Sequence, residues 1–457
     1  MEVDVADSHK ELARRLESGE LTSALEWLHA IPRHDWSLVL SRLSPDERGE
    51  LLTAVDPELG AELLEELPDV HQISVIEDLA APTAAAILDQ LPSDLQGDLI
   101  GELDDDDAQR ILGHMTPEDA STALTLSRYE DDEAGGLMIT EMLRYAEQQT
   151  VASVIDDLRV HAEEYRDFEI QYSYVVDQKG ALVGVLRMRD LLLAPHGTTL
   201  DRLMIRDPLF VRAETSIEEL GEIFDEHSYL GVPVVDAQQR PLGVVLRRAV
   251  DDAWAEQQDA ALLKLQGIVG GEELRSMPLM TRSSRRLAWL SINIVLNLLA
   301  ASIIAMFQET LSTVIALAVF LPIISDMSGC SGNQAVAVSM RELSLGLVRP
   351  TELLRVWLKE VSVGLLNGIA LGAMIGAVAW AWQGMPMLGV VVAIALALNT
   401  LVAVSIGGLV PLLLRRWNLD PAVASGPILT TITDMCGFFW VLGLATLFLD
   451  YLKPATG

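Results

Sequence analysis

The chain has 457 residues, yet it carries only two cysteines, and its basic residues and histidines are scarce where they would matter most. Cys330 and Cys436 offer no disulfide framework and read first as packing residues, with a thiol site for a soft metal as the alternative. All eight histidines precede residue 228. The C-terminal part therefore has no imidazole for Zn²⁺, Cu²⁺ or Ni²⁺, which argues against an intramembrane metalloprotease and against enzymatic chemistry there. Lys and Arg number 32 against 66 Asp and Glu. Phosphate binding needs a basic footprint, so nucleic acid is not an expected partner. The opening "MEVDVADSHKELARR" has no apolar core of a secretory signal, which predicts a cytoplasmic N-terminus.

The charge deficit is confined to one part of the chain. Residues 1–280 hold 58 acidic and 22 basic residues, whereas 281–457 hold 8 and 10. An acidic, water-facing half thus precedes a nearly neutral, apolar half. Cations are the natural counterions of the first half.

Five apolar segments follow Arg286: Leu287–Phe307, Leu311–Met340, Val356–Trp382, Met387–Leu414 and Ala422–Leu449. Each is long enough to cross about 30 Å of hydrocarbon. Arg282, Arg285 and Arg286 precede the first, and Arg341, Arg349, Arg355 and Lys359 lie between the second and third. Arg415 and Arg416 lie between the fourth and fifth, while "QET" and "QGMPM" have no positive charge. This alternation predicts a multi-pass protein of the cytoplasmic membrane with its N-terminus inside and its C-terminus outside.

Asp434 lies 13 residues past Pro421, about 20 Å along a helix and close to mid-membrane. Asp326 is midway along the second segment. A charge at that depth costs about 2.5–3.5 kcal/mol, so both acids are candidate site residues. The backbone around each is expected to be irregular. Gly426-Pro427 opposes a regular helix, and Ser328, Gly329, Ser331 and Gly332 loosen the second segment. Thr430 and Thr431 share the helical face of Asp434 and complete a stripe of oxygen ligands. Such a stripe suits hard cations, and one or two carboxylates per chain suit Mg²⁺ held through its hydration shell. Bonding of Asp434 to threonine hydroxyls or to a buried arginine, as a purely structural acid, is the alternative.

In the first half an internal repeat appears when the chain is cut every 12 residues from Leu43: LSPDERGELLTA, VDPELGAELLEE, LPDVHQISVIED and four more units to Leu126. Each unit opens apolar, follows with a turn or cap signal, and places an apolar pair at positions nine and ten. One short capped helix per unit predicts an α-solenoid. The Asp104–Asp107 run falls in a turn position and reads as a cap. From about Met138 to Trp254 the pattern changes: "YSYVVDQKGALVGVLRMRDLL" recurs as "GVPVVDAQQRPLGVVLRRAV" 59 residues on. Each copy reads as strand, turn, strand, helix, with a helical stretch before it. The duplication looks like a CBS-domain pair.

In order, helical solenoid, CBS pair, linking helix and apolar spans resemble the MgtE family of magnesium channels and transporters. The stretches "RYEDDEAGGLM", "LPIISDMSGCSGNQ", "WLKEVSVGLLNG" and "LDPAVASGPILTTITD" carry the resemblance. It implies a multidomain membrane protein: an all-α superhelical N domain at 1–137, α/β CBS domains at 138–254, a linking helix at 255–281 and a five-helix pore domain at 282–457. It also implies a homodimer in the lipid membrane that carries Mg²⁺. Asp434 matches the family's central selectivity acid, helped by the carbonyl of Thr430. Asn333, Gln334, Gly329, Gly332, Gly426 and Pro427 match the pore region. Asp190, Glu226, Asp251, Asp252 and Asp259 match positions at which cytosolic Mg²⁺ closes the pore.

This chain departs from the family pattern at several places. Ser328-Gly329-Cys330 stands where "GGN" is usual, and Arg247, Arg248 and Ser228 stand at usually acidic positions. Arg187, Leu246 and Ala249 break the CBS nucleotide pattern, which argues against ATP binding. The expected function is Mg²⁺ uptake gated by the soluble domains. Transport of Co²⁺, Mn²⁺ or Ca²⁺, or a magnesium sensor that does not conduct, is the alternative.

Overall fold

A computed structural model of the chain describes residues 8–166, 168, 171–268, 273–417 and 419–452, with the backbone alone at 422–425. Its contacts divide the chain into two units, Met1–Glu256 and Gln257–Gly457.

The seven 12-residue units become seven helices: Pro45–Ala54, Pro57–Glu65, Asp69–Asp78, Ala81–Leu88, Ser93–Glu102, Asp105–Leu112 and Pro117–Leu126. Their starts are chemically marked. The Ser44 hydroxyl accepts from the Glu47 N–H, and the Glu47 carboxylate accepts in return from the Ser44 N–H at 2.6 Å. Asp56 and Thr116 cap the second and last helices by accepting from the N–H groups of Leu59 and Asp119. Asp104 occupies an N-cap position but its side chain makes no cap hydrogen bond. The pairs at positions nine and ten, Leu51-Leu52 to Leu99-Ile100, are all buried, whereas Leu124 of the last unit is exposed. A terminal repeat has no further repeat beyond it, and the last helix instead buries Leu126 among Ala134, Met138 and Val211.

Each helix packs on the next but one, so the structural period is 24 residues. Gln72 and Gln96 show it directly. Each is buried and donates its amide to the carbonyl of the leucine that opens its unit, Leu67 at 2.7 Å and Leu91 at 2.8 Å. Arg48 fills the same place one period earlier and is also buried.

The two β-strand repeats form two interlocked sheets. The strands are β1 (Met138–Ile139), β2 (Arg144–Ala146), β3 (Tyr172–Val176), β4 (Leu182–Arg187), β5 (Ile205–Arg206), β6 (Gly231–Val235) and β7 (Pro241–Leu246). One sheet runs β2-β3-β4-β5 and the other β1-β7-β6. β1, which precedes the first repeat, thus pairs antiparallel with β7 at the end of the second. The recurring "VVD" has one mechanical meaning in both copies. Asp177 accepts from the N–H groups of Lys179 and Ala181, and Asp236 from those of Gln238 and Arg240, each fixing the turn of its hairpin.

Five long helices follow in the second unit: the first at Leu279–Met306, the second at Leu317–Ser344, the third at Leu353–Gln383, the fourth at Pro386–Arg416 and the fifth at Pro421–Leu447. Among the described residues four are long and apolar enough to cross a membrane: the first, third, fourth, and Gly426–Leu447 of the fifth. The second is equally long but is diluted by its "SDMSGCSGNQ" stretch, so the expectation of five spans is met for four.

The expected breaks are absent. The second helix runs unbroken through Ser328–Gly332, and the fifth through Gly426 and Pro427. Hydroxyls bonded back to the preceding turn accompany both regions: Ser328 donates to the Ile324 carbonyl, Thr430 to Gly426 at 3.0 Å and Thr431 to Pro427 at 2.7 Å. Such bonds help a helix absorb proline and glycine within a bundle.

Glycines set the spacing of the bundle. Gly368, Gly372 and Gly376 of the third helix lie against the fourth, where an added Cβ would come within 2.9, 2.5 and 2.6 Å of the carbonyl oxygens of Ala397, Ala393 and Gly389. Those approaches allow no side chain without moving a backbone. Gly372→Val is therefore expected to lower the thermal midpoint of the detergent-solubilised chain by several degrees or to abolish folded yield. Gly329→Ala, with open space around it, is expected to leave the midpoint within about a degree. Equal midpoints for the two variants in a fluorescence melt would contradict this packing.

Candidate functional site

Asp434 is half-buried between the second and fifth helices. Its Oδ1 accepts a hydrogen bond from the Ser325 hydroxyl. Among the described residues no Lys, Arg or His bonds to it. Among the described residues the alternative of a buried arginine partner is not met, and the hydroxyl that bonds to Asp434 is that of Ser325 rather than of a threonine. One residue before it, the Thr433 carbonyl accepts from the Asn399 amide at 3.0 Å. Asn399, in the fourth helix, also donates to the Ser328 hydroxyl of the second. Three helices are thus joined by neutral polar groups at one depth.

The other expected site residues separate into two groups. Asp326, Cys330, Asn333 and Gln334 are exposed in the single chain, as is Thr430. Asp326, Cys330 and Asn333 follow one another at helical spacing and form a polar strip on the second helix. Gly329 has nothing around it. Gly332 and Pro427 are buried. A Cβ at Gly332 would meet Leu429 at 2.7 Å and the Ala403 carbonyl at 3.1 Å, so this glycine serves close packing rather than lining. Gly426 is half-buried, with the Leu265 carbonyl 3.8 Å from its Cβ position. The hydroxyls of Thr430 and Thr431 are used by their own helix, and the Thr430 carbonyl accepts from the Thr433 hydroxyl at 3.0 Å. Cys436 is half-buried and not disulfide-bonded.

Sequence reading missed Ser325, Ser328 as a bridge, and Asn399. The signal for Asn399 was present, since it is an amide inside an otherwise apolar segment. The signal for Ser325 was not, because serine next to an aspartate has no periodicity of its own.

In the acidic N-terminal part of the chain the candidate acids are less available than their number suggests. Asp190 accepts from Arg187 Nε at 2.6 Å, with Arg189 Nε at 3.7 Å. Glu226, Asp251, Asp252 and Asp259 are exposed. Among the described residues no three His, Cys, Asp or Glu side chains are grouped to hold a metal ion. Arg247 does not stand over these acids. Its guanidinium donates to the carbonyls of Tyr229, Phe224 and His227 and lies over the Phe224 ring, capping the end of helix Ile217–Glu226. A cavity of about 230 Å³ is lined by Tyr172, Tyr174, Arg187, Ser228, Tyr229 and Pro233, among others. That is below the usual range for a drug-sized ligand.

A second acidic face, not singled out from sequence, lies on helix Ser93–Glu102. Burial pushes Asp98 up to about 8, helped by the neighbouring charge of Asp131. Burial likewise raises Asp94 to about 6, against which Arg248 acts. Between about pH 4 and 8 the folded chain keeps a proton on Asp98 that the unfolded chain has released, so stability falls as pH rises through this window. Asp98→Asn is expected to stabilise the full chain at pH 8 by about 1–3 kcal/mol, discounted for partial exposure, with the gain fading towards pH 4. Thermal melts at both pH values check this, and an equal gain at each would refute it.

The comparisons with known proteins agree with this architecture. The family model described as divalent cation transporter, MgtE, matches residues 321–444. The MgtE intracellular N domain matches 31–132, and a CBS domain matches 200–256. The magnesium transporter MgtE of Thermus thermophilus is 35% identical over 328 residues, which cover 71% of this chain and 72% of that protein. That of Enterococcus faecalis is 33% identical, covering 71% of each. A crystal structure of the soluble part of a magnesium transporter is 24% identical, with a TM-score of 0.49, over 56% of this chain and 99% of that one. With its N domain, CBS domain and membrane region matched in this order, the chain belongs to the MgtE family of transporters.

Proposed function

We propose that the chain is a homodimeric Mg²⁺ channel or transporter of the cytoplasmic membrane, with Asp434 at its selectivity site. The observation that carries this reading is a half-buried carboxylate, midway along a membrane helix, whose one described partner is a neutral hydroxyl. Such a group favours a cation from outside the protein. Oxygen-only surroundings and few charges favour a hard, hydrated ion over a dehydrated cage. Permeation down a gradient needs no catalytic group.

A second copy is supported by the polar strip. Asp326 and Asn333 are exposed on a helix at membrane depth, where contact with lipid costs several kcal/mol. A partner across an axis beside the second and fifth helices covers them and brings two Asp434 side chains to one path. In this reading all five long helices cross the membrane, the second against the water-filled path rather than lipid. The N-terminus lies inside and the C-terminus outside. The chain divides into an N domain at 1–137, CBS domains at 138–254, a linking helix at 255–281 and a pore domain at 282–457.

Restoration of growth in a magnesium-dependent bacterial strain tests the central acid. Wild type is expected to restore growth at low external Mg²⁺, and Asp434→Ala and Asp434→Asn are expected to lose it. Undiminished growth with both variants would sink the reading. Competition uptake with Co²⁺, Mn²⁺ and Ca²⁺ separates Mg²⁺ selectivity from the broader divalent transport of the family description.

Gating by the soluble domains is part of the same reading. The helix expected at 255–281 runs Arg247–Leu265, and its end approaches the fifth helix, where Lys264 Nζ lies 3.4 Å from Asp420. Closure by internal Mg²⁺ through Asp190, Glu226, Asp251, Asp252 and Asp259 is expected to be weak, since Arg187 already neutralises Asp190 and Arg248 opposes the acidic face at Asp94. Sharp closure at millimolar internal Mg²⁺ in patch recordings would refute this. ATP binding is expected to be absent or weak, because Arg187 occupies both the hydroxyl position of the CBS pattern and the wall of a small cavity.

A further inference from the structure

Asn399 lies in the middle of the fourth helix and is fully buried. Its amide nitrogen reaches two other helices at once, donating to the Ser328 hydroxyl in the second and to the Thr433 carbonyl in the fifth. The Ser328 hydroxyl in turn donates to the Ile324 carbonyl. These two contacts fall on the turns that build the Asp434 site. Ser325, in the turn of Ser328, donates to Asp434, and Thr433 is the residue beside Asp434.

The surroundings leave this bridge no slack. A Cβ at Gly437 would lie 2.7 Å from the Asn399 amide nitrogen, so the fifth helix touches the bridge directly. Two turns further along the fourth helix, a Cβ at Gly407 would lie 2.3 Å from the Gly332 carbonyl, so the second helix is held equally close. The Asn399 side-chain oxygen, meanwhile, has no hydrogen-bond partner among the described residues although it is buried. An apolar residue of similar size would avoid that unsatisfied oxygen, so stability alone does not account for an asparagine here.

We propose that Asn399 is a positioning residue for cation selection, setting the separation of the second and fifth helices at the depth of Asp434. Resting on the transport reading above, it makes the aperture beside the carboxylate rigid on the ångström scale. A rigid aperture discriminates among hydrated divalent cations by size and by their reluctance to lose water, whereas a compliant one admits several.

The test uses the full chain in proteoliposomes loaded with a divalent-cation indicator, with Mg²⁺ and Co²⁺ uptake and the detergent melting midpoint measured on the same preparations. The variants are Asn399→Leu, Asn399→Gln and Ser328→Ala, with Asp434→Asn as the control. Asn399→Leu is expected to keep or raise the midpoint while changing the Mg²⁺ to Co²⁺ uptake ratio at least about fivefold. Ser328→Ala removes one arm of the bridge and is expected to shift the ratio the same way by less. Asn399→Gln keeps the amide and is expected to fall nearer wild type than leucine does. Should Asn399→Leu fail to fold, Ser328→Ala and Asn399→Gln carry the test. Ratios within twofold of wild type in the folded variants, or parallel loss of both cations with a lowered midpoint, would overturn the positioning role alone. Wild type that moves neither cation, like Asp434→Asn, would overturn the transport reading and this inference with it.

Discussion

The membrane unit depends on a carboxylate for which the protein supplies no described counter-charge. A carboxylate at mid-membrane is unfavourable by about 2.5–3.5 kcal/mol, and at the depth proposed for Asp434 one hydroxyl from Ser325 recovers only part of this. An arginine beside it would make the site stable and closed to cations. Neutral donors hold its geometry and leave its charge unanswered. In the transport reading proposed above, the remaining demand falls to an ion that comes and goes.

Holding such a site open needs stiffness from elsewhere, and the fourth helix provides it. Most of its apolar length is buried, in contrast to the first helix, which is almost wholly uncovered in the single chain. It meets the third through the glycine series and the second through Gly332 and Gly407, in each case backbone to backbone. Close backbone contact between helices has few alternative arrangements, because dispersion and packing fall off within fractions of an ångström. Asn399 then adds direction to that contact. Its unsatisfied oxygen costs about 1–3 kcal/mol, an outlay consistent with specification rather than stability.

Local patterns were legible in the sequence, and relationships between segments were not. The 12-residue period located every helix from Pro45 to Leu126 and the buried pairs within them, because each unit signals its own cap and core. The "VVD" repeat located two hairpins, although the pairing of β1 with β7 across the duplication had no local sign. Asp434 stood out because an acid in an apolar run is costly wherever its partners lie. The expected helix breaks failed for a physical reason: serine and threonine hydroxyls bond within the same stretch, so residues that loosen a helix in water are accommodated in this bundle. Ser325 and Asn399 became meaningful only when three helices met.

The same distinction separates the many acids of the soluble half from the single one in the fifth helix. Asp190 is paired with Arg187, and Glu273, just before the first long helix, accepts from both Arg282 and Arg286. Arg247, which sequence alone sets against the neighbouring acids, is committed to carbonyl groups at a helix end. Charge counts therefore overstate what the soluble half offers to Mg²⁺, since part of its negative charge is already answered by arginine. The scarcity of basic residues acquires its meaning by location. Asp190 and Glu273 have arginine at hand, whereas the described helices bring none to Asp434, which is why the proposed reading gives that acid to a cation from solution.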